Sequence, residues 1–134
     1  MVMKNISSGD RPVIVAGTGP AGLIAALALA DIGLPVNLVG PSASITDGRT
    51  TALMTPALAF LERLNVLASL EPHAAPLKTM RIVDATRRLL RSPTVTFRAS
   101  EIGEERFGLN MPNHVLNGAL ETAVTNTPTI AWRR

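Results

Sequence analysis

Three glycines, in the spacing Gly17-x-Gly19-x-x-Gly22, stand where a β-branched run, Val13-Ile14-Val15, gives way to an alanine- and leucine-rich stretch that begins at Pro20. Residues of this kind do no acid–base work. Their chemistry is the binding of phosphate by bare backbone. Gly17 permits a tight turn, Gly19 lets the main chain approach phosphate oxygens, and Gly22 lets a helix pack close to the preceding strand. The first N–H groups of that helix have no partner within it and carry a partial positive charge, which suits a doubly charged pyrophosphate. Pro20 fits the opening turn, where its missing N–H costs nothing.

A dinucleotide site of this type normally adds a carboxylate about 20 residues past the glycines, to bond the ribose hydroxyls. Gly40 stands in that place and has no side chain. Asp47 lies farther along and can compensate, with Ser42 and Ser44 as weaker partners. No arginine occupies the position, so a 2′-phosphate gains no support. The phosphate half of the site is intact in sequence and the ribose half is open.

Other residues offer less. His73 and His114 stand apart without metal-ligand spacing, so no metal is expected. Glu104 and Glu105 are adjacent and point in different directions, which makes them surface charges rather than a catalytic pair. The chain has no cysteine, so disulfides and thiolate chemistry are excluded and a reducing compartment is permitted.

The elements that must position the glycines follow from the pattern. Arg11–Ala16 reads as a strand buried on both faces, and Pro20–Ile32 as a helix with Leu23, Leu27 and Ala30 at helical spacing, stopped by Gly33. Pro35–Val39 reads as a second strand, completing a βαβ unit. Residues 40–48 form a loop. Thr55-Pro56 reads as an N-cap and first-turn proline ahead of a helix carrying Leu58, Phe60, Leu61 and Leu64, and a further helical turn covers Val66–Leu70. Met80–Ala85 and Thr94–Arg98 alternate as antiparallel strands around a basic turn. A glycine turn near Gly108 leads to a helix from about Asn113, and Thr129–Trp132 reads as a third parallel strand. The expected class is α/β: a Rossmann-like parallel sheet with a small antiparallel excursion, over residues 11–134, preceded by a flexible terminus over residues 1–10.

Composition narrows the function. The chain has 134 residues, 46% hydrophobic and 17% charged, which is globular rather than disordered. Aromatics make up only 3%, against a base-stacking nucleic-acid module. Residues 1–75 carry four basic and five acidic groups, whereas residues 76–134 carry nine and five. The second half is therefore basic, either as a solvated face or as a surface turned to anions or a membrane. Glycines and Pro20 interrupt the first apolar run near its start, so it reads as neither a signal segment nor a membrane span.

Three segments, "VIVAGTGPAGLIAALALADIGLPVNLVGPS", "DGRTTALMTPALAFLERLNV" and "FGLNMPNHVLNGALETA", resemble in order the start of the flavin-dependent aromatic hydroxylases, and within them the ubiquinone-biosynthesis hydroxylases. The likeness runs from about Pro12 to Ala123. The Gly-x-Gly-Pro-Ala-Gly form is moderately specific for FAD domains, and "DGRTTAL" adds specificity because plain NAD dehydrogenases lack it.

The resemblance implies FAD bound across Gly17, Gly19, Pro20, Ala21 and Gly22, with Arg49 reaching toward the flavin or its pyrophosphate. A guanidinium suits that role through paired bonds to phosphate oxygens; the alternative is a loop arginine paired with Asp47. Asn113 is placed beside the cofactor by the resemblance, or serves as a plain N-cap. The implied activity is a monooxygenase: NAD(P)H reduces the flavin, and one atom of O2 is delivered to a small aromatic or polyprenylated phenol. No acid–base pair is needed from the chain, so catalytic residues are left unassigned, and no nucleic-acid partner is expected. A polyprenylated substrate implies a cytoplasmic protein meeting the inner membrane surface peripherally. The family's later Gly-Asp flavin segment and its substrate-covering sheet have no counterpart in the sequence. The expectation is therefore a truncated FAD-binding domain: an N-terminal portion of a longer enzyme, or a truncated gene product. The competing readings are a non-catalytic nucleotide-binding fragment, or another FAD or NAD oxidoreductase such as an amine oxidase. The lack of cysteine removes the disulfide reductases.

Overall fold

In the computed structural model, residues 11–43 and 48–134 are described. The expected flexible terminus, Ser44 and Asp47 lie outside them.

Strand β1 (Val13–Ala16) leads through the glycine turn into helix α1 (Pro20–Asp31), and β2 (Val36–Val39) follows. β1 and β2 pair in parallel from Val13↔Val36 to Ala16↔Val39, so the βαβ unit is present as the periodicity indicates. Gly33, at φ +85°, ends the helix in a conformation that L side chains rarely adopt. The third strand of the sheet is β8 (Ile130–Arg133), parallel to β2, and the order is β1-β2-β8.

Alternation along these strands sorts their side chains by face. Val36, Leu38 and Ile130 are buried and share one core with Leu23, Ala26 and Leu27 of α1 and with Leu116, Leu120 and Val124 of helix α4 (Asn113–Thr125). The opposite face differs. Ile14 is 70% exposed and Val39 44%, with Ala16, Ala131 and Arg133 also exposed. The expectation that β1 is buried on both faces is therefore wrong. Among the described residues no second layer covers that side of the sheet.

The antiparallel part is larger than the sequence suggests. Thr50–Leu53 of the DGRTTAL segment lie in β3 (Thr50–Met54), and the predicted glycine turn near Gly108 is itself a strand, β7 (Gly108–Pro112). Together with β4 (Ala75–Leu77) they form a sheet in the order β3-β7-β4. Gly108 is required there, because a Cβ would overlap the Leu53 carbonyl of the paired strand. Helix α2 (Thr55–Arg63), helix α3 (Leu67–Leu70) and a 3-10 turn (Glu71–His73) connect β3 to β4. Leu58, Leu61, Leu70, Leu109 and Met111 bring this sheet into the same core as the parallel one. Removing such a buried leucine side chain costs about 2–5 kcal/mol. Thr55 does not cap α2. The cap position is Met54, and the Thr55 hydroxyl donates to the Phe107 carbonyl at 3.0 Å, tying the helix start to the strand sheet instead.

The remaining two strands, β5 (Thr79–Ile82) and β6 (Val95–Arg98), form a separate antiparallel hairpin as expected, with Met80 opposite Phe97 and Ile82 opposite Val95.

Candidate nucleotide-binding site

The glycine turn has the geometry its spacing predicts, and each glycine has its own reason. Gly17 sits at φ +115°, which directs the chain out of β1. A Cβ on Gly22 would overlap the Gly17 carbonyl, so the close packing of α1 on the turn requires glycine. Gly19 differs from both. Its φ is −74°, and nothing lies within 4 Å of where its Cβ would be. Neither fold nor packing demands glycine there. The absence of a side chain leaves space in front of the helix.

That helix mouth is uncapped. Gly19 is the cap residue, no side chain bonds the first-turn amides, and Pro20 follows. The Leu23 N–H closes the first turn on the Gly19 carbonyl at 3.0 Å, so the amides of Ala21 and Gly22 precede the first full helical bond. Gly17, Gly19 and Ala21 are exposed and Pro20 is half-buried. No acidic side chain lies in the first turn to compete with an anion. A space that one Cβ would fill, before unopposed N–H groups, fits a pyrophosphate.

Gly40 also has a structural reason. Its φ is +148°, and a Cβ would come within 2.8 Å of the Thr18 Oγ1 and 2.9 Å of its Cγ2. Thr18, only 8% exposed, fills the space in which a side chain at position 40 would begin, and its hydroxyl donates to the Pro41 carbonyl. The Gly40 amide donates to the Arg133 carbonyl at 3.0 Å, and the Gly40 carbonyl accepts from the Trp132 indole at 2.8 Å. The end of β2 is thus locked to the glycine turn on one side and to β8 on the other. A little farther on, the Glu121 carboxylate accepts the Ala43 amide at 2.6 Å. Sequence reasoning missed Thr18, Trp132 and Glu121. Thr18 alone had a local signal, as a β-branched residue inside a glycine turn.

Arg49 is not part of this turn. It precedes β3, and its carbonyl accepts the amide of Asn113, the first residue of α4, at 2.9 Å. Asn113 is not an N-cap: Pro112 holds that position, and the Asn113 Oδ1 accepts the Thr51 hydroxyl instead. The structure therefore brings Gly17, Gly19, Pro20, Ala21 and Gly22 together and sets Arg49 with Asn113 at the junction of β3, β7 and α4. Asp47, the proposed substitute for the ribose carboxylate, lies outside the described residues.

Elsewhere, a depression of about 400 Å3 lies between α2 and the segment 103–106, with exposed Glu104 and Glu105 on its rim, but its side chains converge on no reactive group. His73 and His114 line one shallow hollow with Ser69. Among the described residues, no group of three or more His, Asp or Glu is placed to hold a metal ion.

A parallel βαβ unit with an open, glycine-lined helix mouth defines a dinucleotide-binding α/β domain. The chain belongs to the FAD binding domain family, whose profile matches residues 10–127. No curated protein matches it. Among solved structures it is similar to the flavin-dependent monooxygenase PieE, crystallised with FAD and substrate, at 26% identity and a TM-score of 0.69, over 91% of this chain and 23% of that one. It shares its fold with p-nitrophenol 4-monooxygenase PnpA from Pseudomonas putida (21% identity, TM-score 0.68, 92% and 30% covered). The same holds for 2-methyl-3-hydroxypyridine-5-carboxylic acid oxygenase (23%, TM-score 0.66, 91% and 31%). The chain spans less than a third of the length of each.

Proposed function

We propose that this chain is the FAD-binding part of a flavin-dependent monooxygenase that hydroxylates an aromatic ring. The observation that carries the reading is the open α1 mouth, uncapped and with the Gly19 side empty. In this reading the Gly19, Ala21 and Gly22 backbone holds the pyrophosphate, Pro20 leaves the opening turn without a competing donor, and Gly17 sets the turn. Arg49, on the rim formed by β3 and α4, contributes positive charge toward the cofactor. FAD, when bound, supplies the redox chemistry, with NAD(P)H as the reductant and O2 as the oxygen source. The chain's own part is binding and orientation. The likeness of the three quoted segments favours a phenolic substrate of ubiquinone biosynthesis, small or polyprenylated, handled by a cytoplasmic protein at the inner membrane surface.

A second reading, a nucleotide-binding piece without turnover, is favoured by the bare face of the parallel sheet. Purified chain mixed with FAD and desalted separates the possibilities. Retained flavin absorbance, with NAD(P)H oxidation stimulated by an added phenol, is the expected result. Retained flavin without oxidation selects the second reading, and loss of all flavin on desalting overturns both.

A further inference from the structure

The turn that joins β5 to β6 is built in a way that nucleotide binding does not use. Leu89 is 99% exposed and Leu90 88%, at the end of a hairpin that stands apart from both sheets. Two adjacent leucines in full contact with water are unfavourable for a solvated turn, since burying apolar surface is favourable. Arg87, Arg88 and Arg91 flank them, and residues 86–92 contain no acidic residue. The turn is also fixed at its base. The Asp84 carboxylate accepts the Thr86 amide through one oxygen and the Ser92 amide through the other, each at 3.0 Å. One side chain therefore holds both ends of the segment and presents its middle outward.

We propose that this knuckle docks the protein on an anionic lipid surface, with Leu89 and Leu90 entering the headgroup–acyl boundary and the three arginines pairing with lipid phosphates. The inference rests on the membrane-surface part of the proposed function and deepens it by naming the surface. An exposed apolar tip flanked in sequence by three arginines matches the layered order of a bilayer, where apolar chains lie beneath anionic headgroups. Neither half suffices alone. Two leucines give a weak anchor, and three charges without insertion give only salt-sensitive attraction. Among the described residues no helix is long and apolar enough to cross a membrane.

Vesicles test this directly. The chain should co-sediment with vesicles of phosphatidylglycerol and phosphatidylcholine and much less with phosphatidylcholine alone. Replacing Arg87, Arg88 and Arg91 together by alanine should lower partition roughly a hundredfold. Leu89→Asp with Leu90→Asp should lower it roughly tenfold or more. Because the chain has no cysteine, Leu90→Cys gives a unique site for an environment-sensitive dye. Its emission should shift to the blue on anionic vesicles, while a dye at Ile32→Cys, exposed at the end of α1, should not respond. Trp132, the only tryptophan, reports whether each variant keeps the β2–β8 junction. Partition indifferent to both tip variants overturns the proposal. So does a dye that shifts at position 32 but not at 90, or one at 90 that shifts with protein concentration when no vesicles are present, which would mean that a second copy covers the tip. The labelled chain keeps all three arginines, so it decides the matter even if the triple variant misfolds. FAD retention in the same samples shows whether a failure belongs to the tip or to the nucleotide reading.

Discussion

The βαβ unit and the β5–β6 hairpin treat similar residues in opposite ways. In the first, apolar side chains from β2, β8, α1 and α4 close into a core, and the connecting turn is so tight that a Cβ on Gly22 has no room. In the second, Met80, Ile82, Val95 and Phe97 share one face of a two-stranded ladder and all remain 42–56% exposed. An isolated two-stranded hairpin is marginal in water. The hairpin is therefore held by its backbone ladder, by the Ala99 amide bonded to the Lys78 carbonyl at 3.0 Å, and by Asp84. The βαβ unit is set by excluded volume, whereas the hairpin is set by a few hydrogen bonds. Substitutions should be global in their effect in the first region and local in the second.

The largest effect is expected at Gly22. Gly22→Val places side-chain atoms against the Gly17 carbonyl, which is backbone and cannot turn aside. A cost of about 4 kcal/mol or more is expected, at the severe end for one substitution. Thermal unfolding followed by circular dichroism should show a large drop in Tm or no cooperative transition. A near-normal Tm would mean that α1 does not pack on the turn as described.

Gly40→Glu comes next, and it is instructive because it inserts the carboxylate that dinucleotide sites usually carry. The φ of +148° and the approach to Thr18 together should cost about 2–3 kcal/mol. Thr18→Ala in the same chain removes the Cγ2 and Oγ1 that obstruct the new Cβ. The double variant should therefore be more stable than the two separate losses predict, by about 1 kcal/mol or more in a double-mutant cycle. Strict additivity would show that Thr18 is not what excludes a side chain at position 40.

Gly19→Val divides binding from folding. Its φ is ordinary and its surroundings are empty, so the main structural cost is that of a poor N-cap residue, about 1 kcal/mol. The side chain would fill the space proposed for phosphate. FAD affinity, measured by quenching of flavin fluorescence, should fall at least tenfold, or about 1.4 kcal/mol. Undiminished affinity in a folded variant would remove the α1 mouth from the site. Gly22 and Gly19 lie in one motif, and the comparison is sharpest if the first variant loses fold and the second loses only cofactor.

This contrast also shows which features were legible in the sequence. The βαβ unit could be read because its signals are local: a β-branched run, three spaced glycines, helical periodicity and Gly33 fall within 23 consecutive residues, 11–33. The β3-β7-β4 sheet could not. Thr50 pairs with Pro112 across the chain, GLNMP carries the turn-like residues Gly108, Asn110 and Pro112, and TTALM shows no alternation of polar and apolar residue types. Tertiary pairing decided their conformation. Gly40 shows the same limit inside the site. Sequence spacing identified a missing carboxylate, but the reason, a threonine 22 positions earlier filling the space, exists only once β2 lies beside the turn. The exposure of Ile14 was unreadable for a related reason, since a short apolar strand gives no sign of whether one face or two will be covered.

The smallest effect is expected in the hairpin, and it depends on pH. Asp84 is held below the ordinary carboxylate range, first by the Thr86 side chain, then by the Ser92 amide and the Thr86 amide. A carboxyl whose pKa is lower in the folded chain stabilises it when ionised. That contribution is complete at neutral pH, begins to fade where an unfolded aspartate would protonate, and is lost as pH falls through the depressed folded value. The carboxylate faces solvent, so salt and water weaken it, and the global Tm should hardly move. The local structure should respond instead. Hydrogen exchange at the Thr86 and Ser92 amides, compared with Asp84→Asn and corrected for the intrinsic pH dependence of exchange, should show protection near neutrality that disappears on acidification, while the Leu38 amide in β2 stays protected. If Asp84→Asn left the Thr86 and Ser92 amides fully protected at neutral pH, the knuckle would be held by the ladder alone, and the difference in how the two regions are held would narrow.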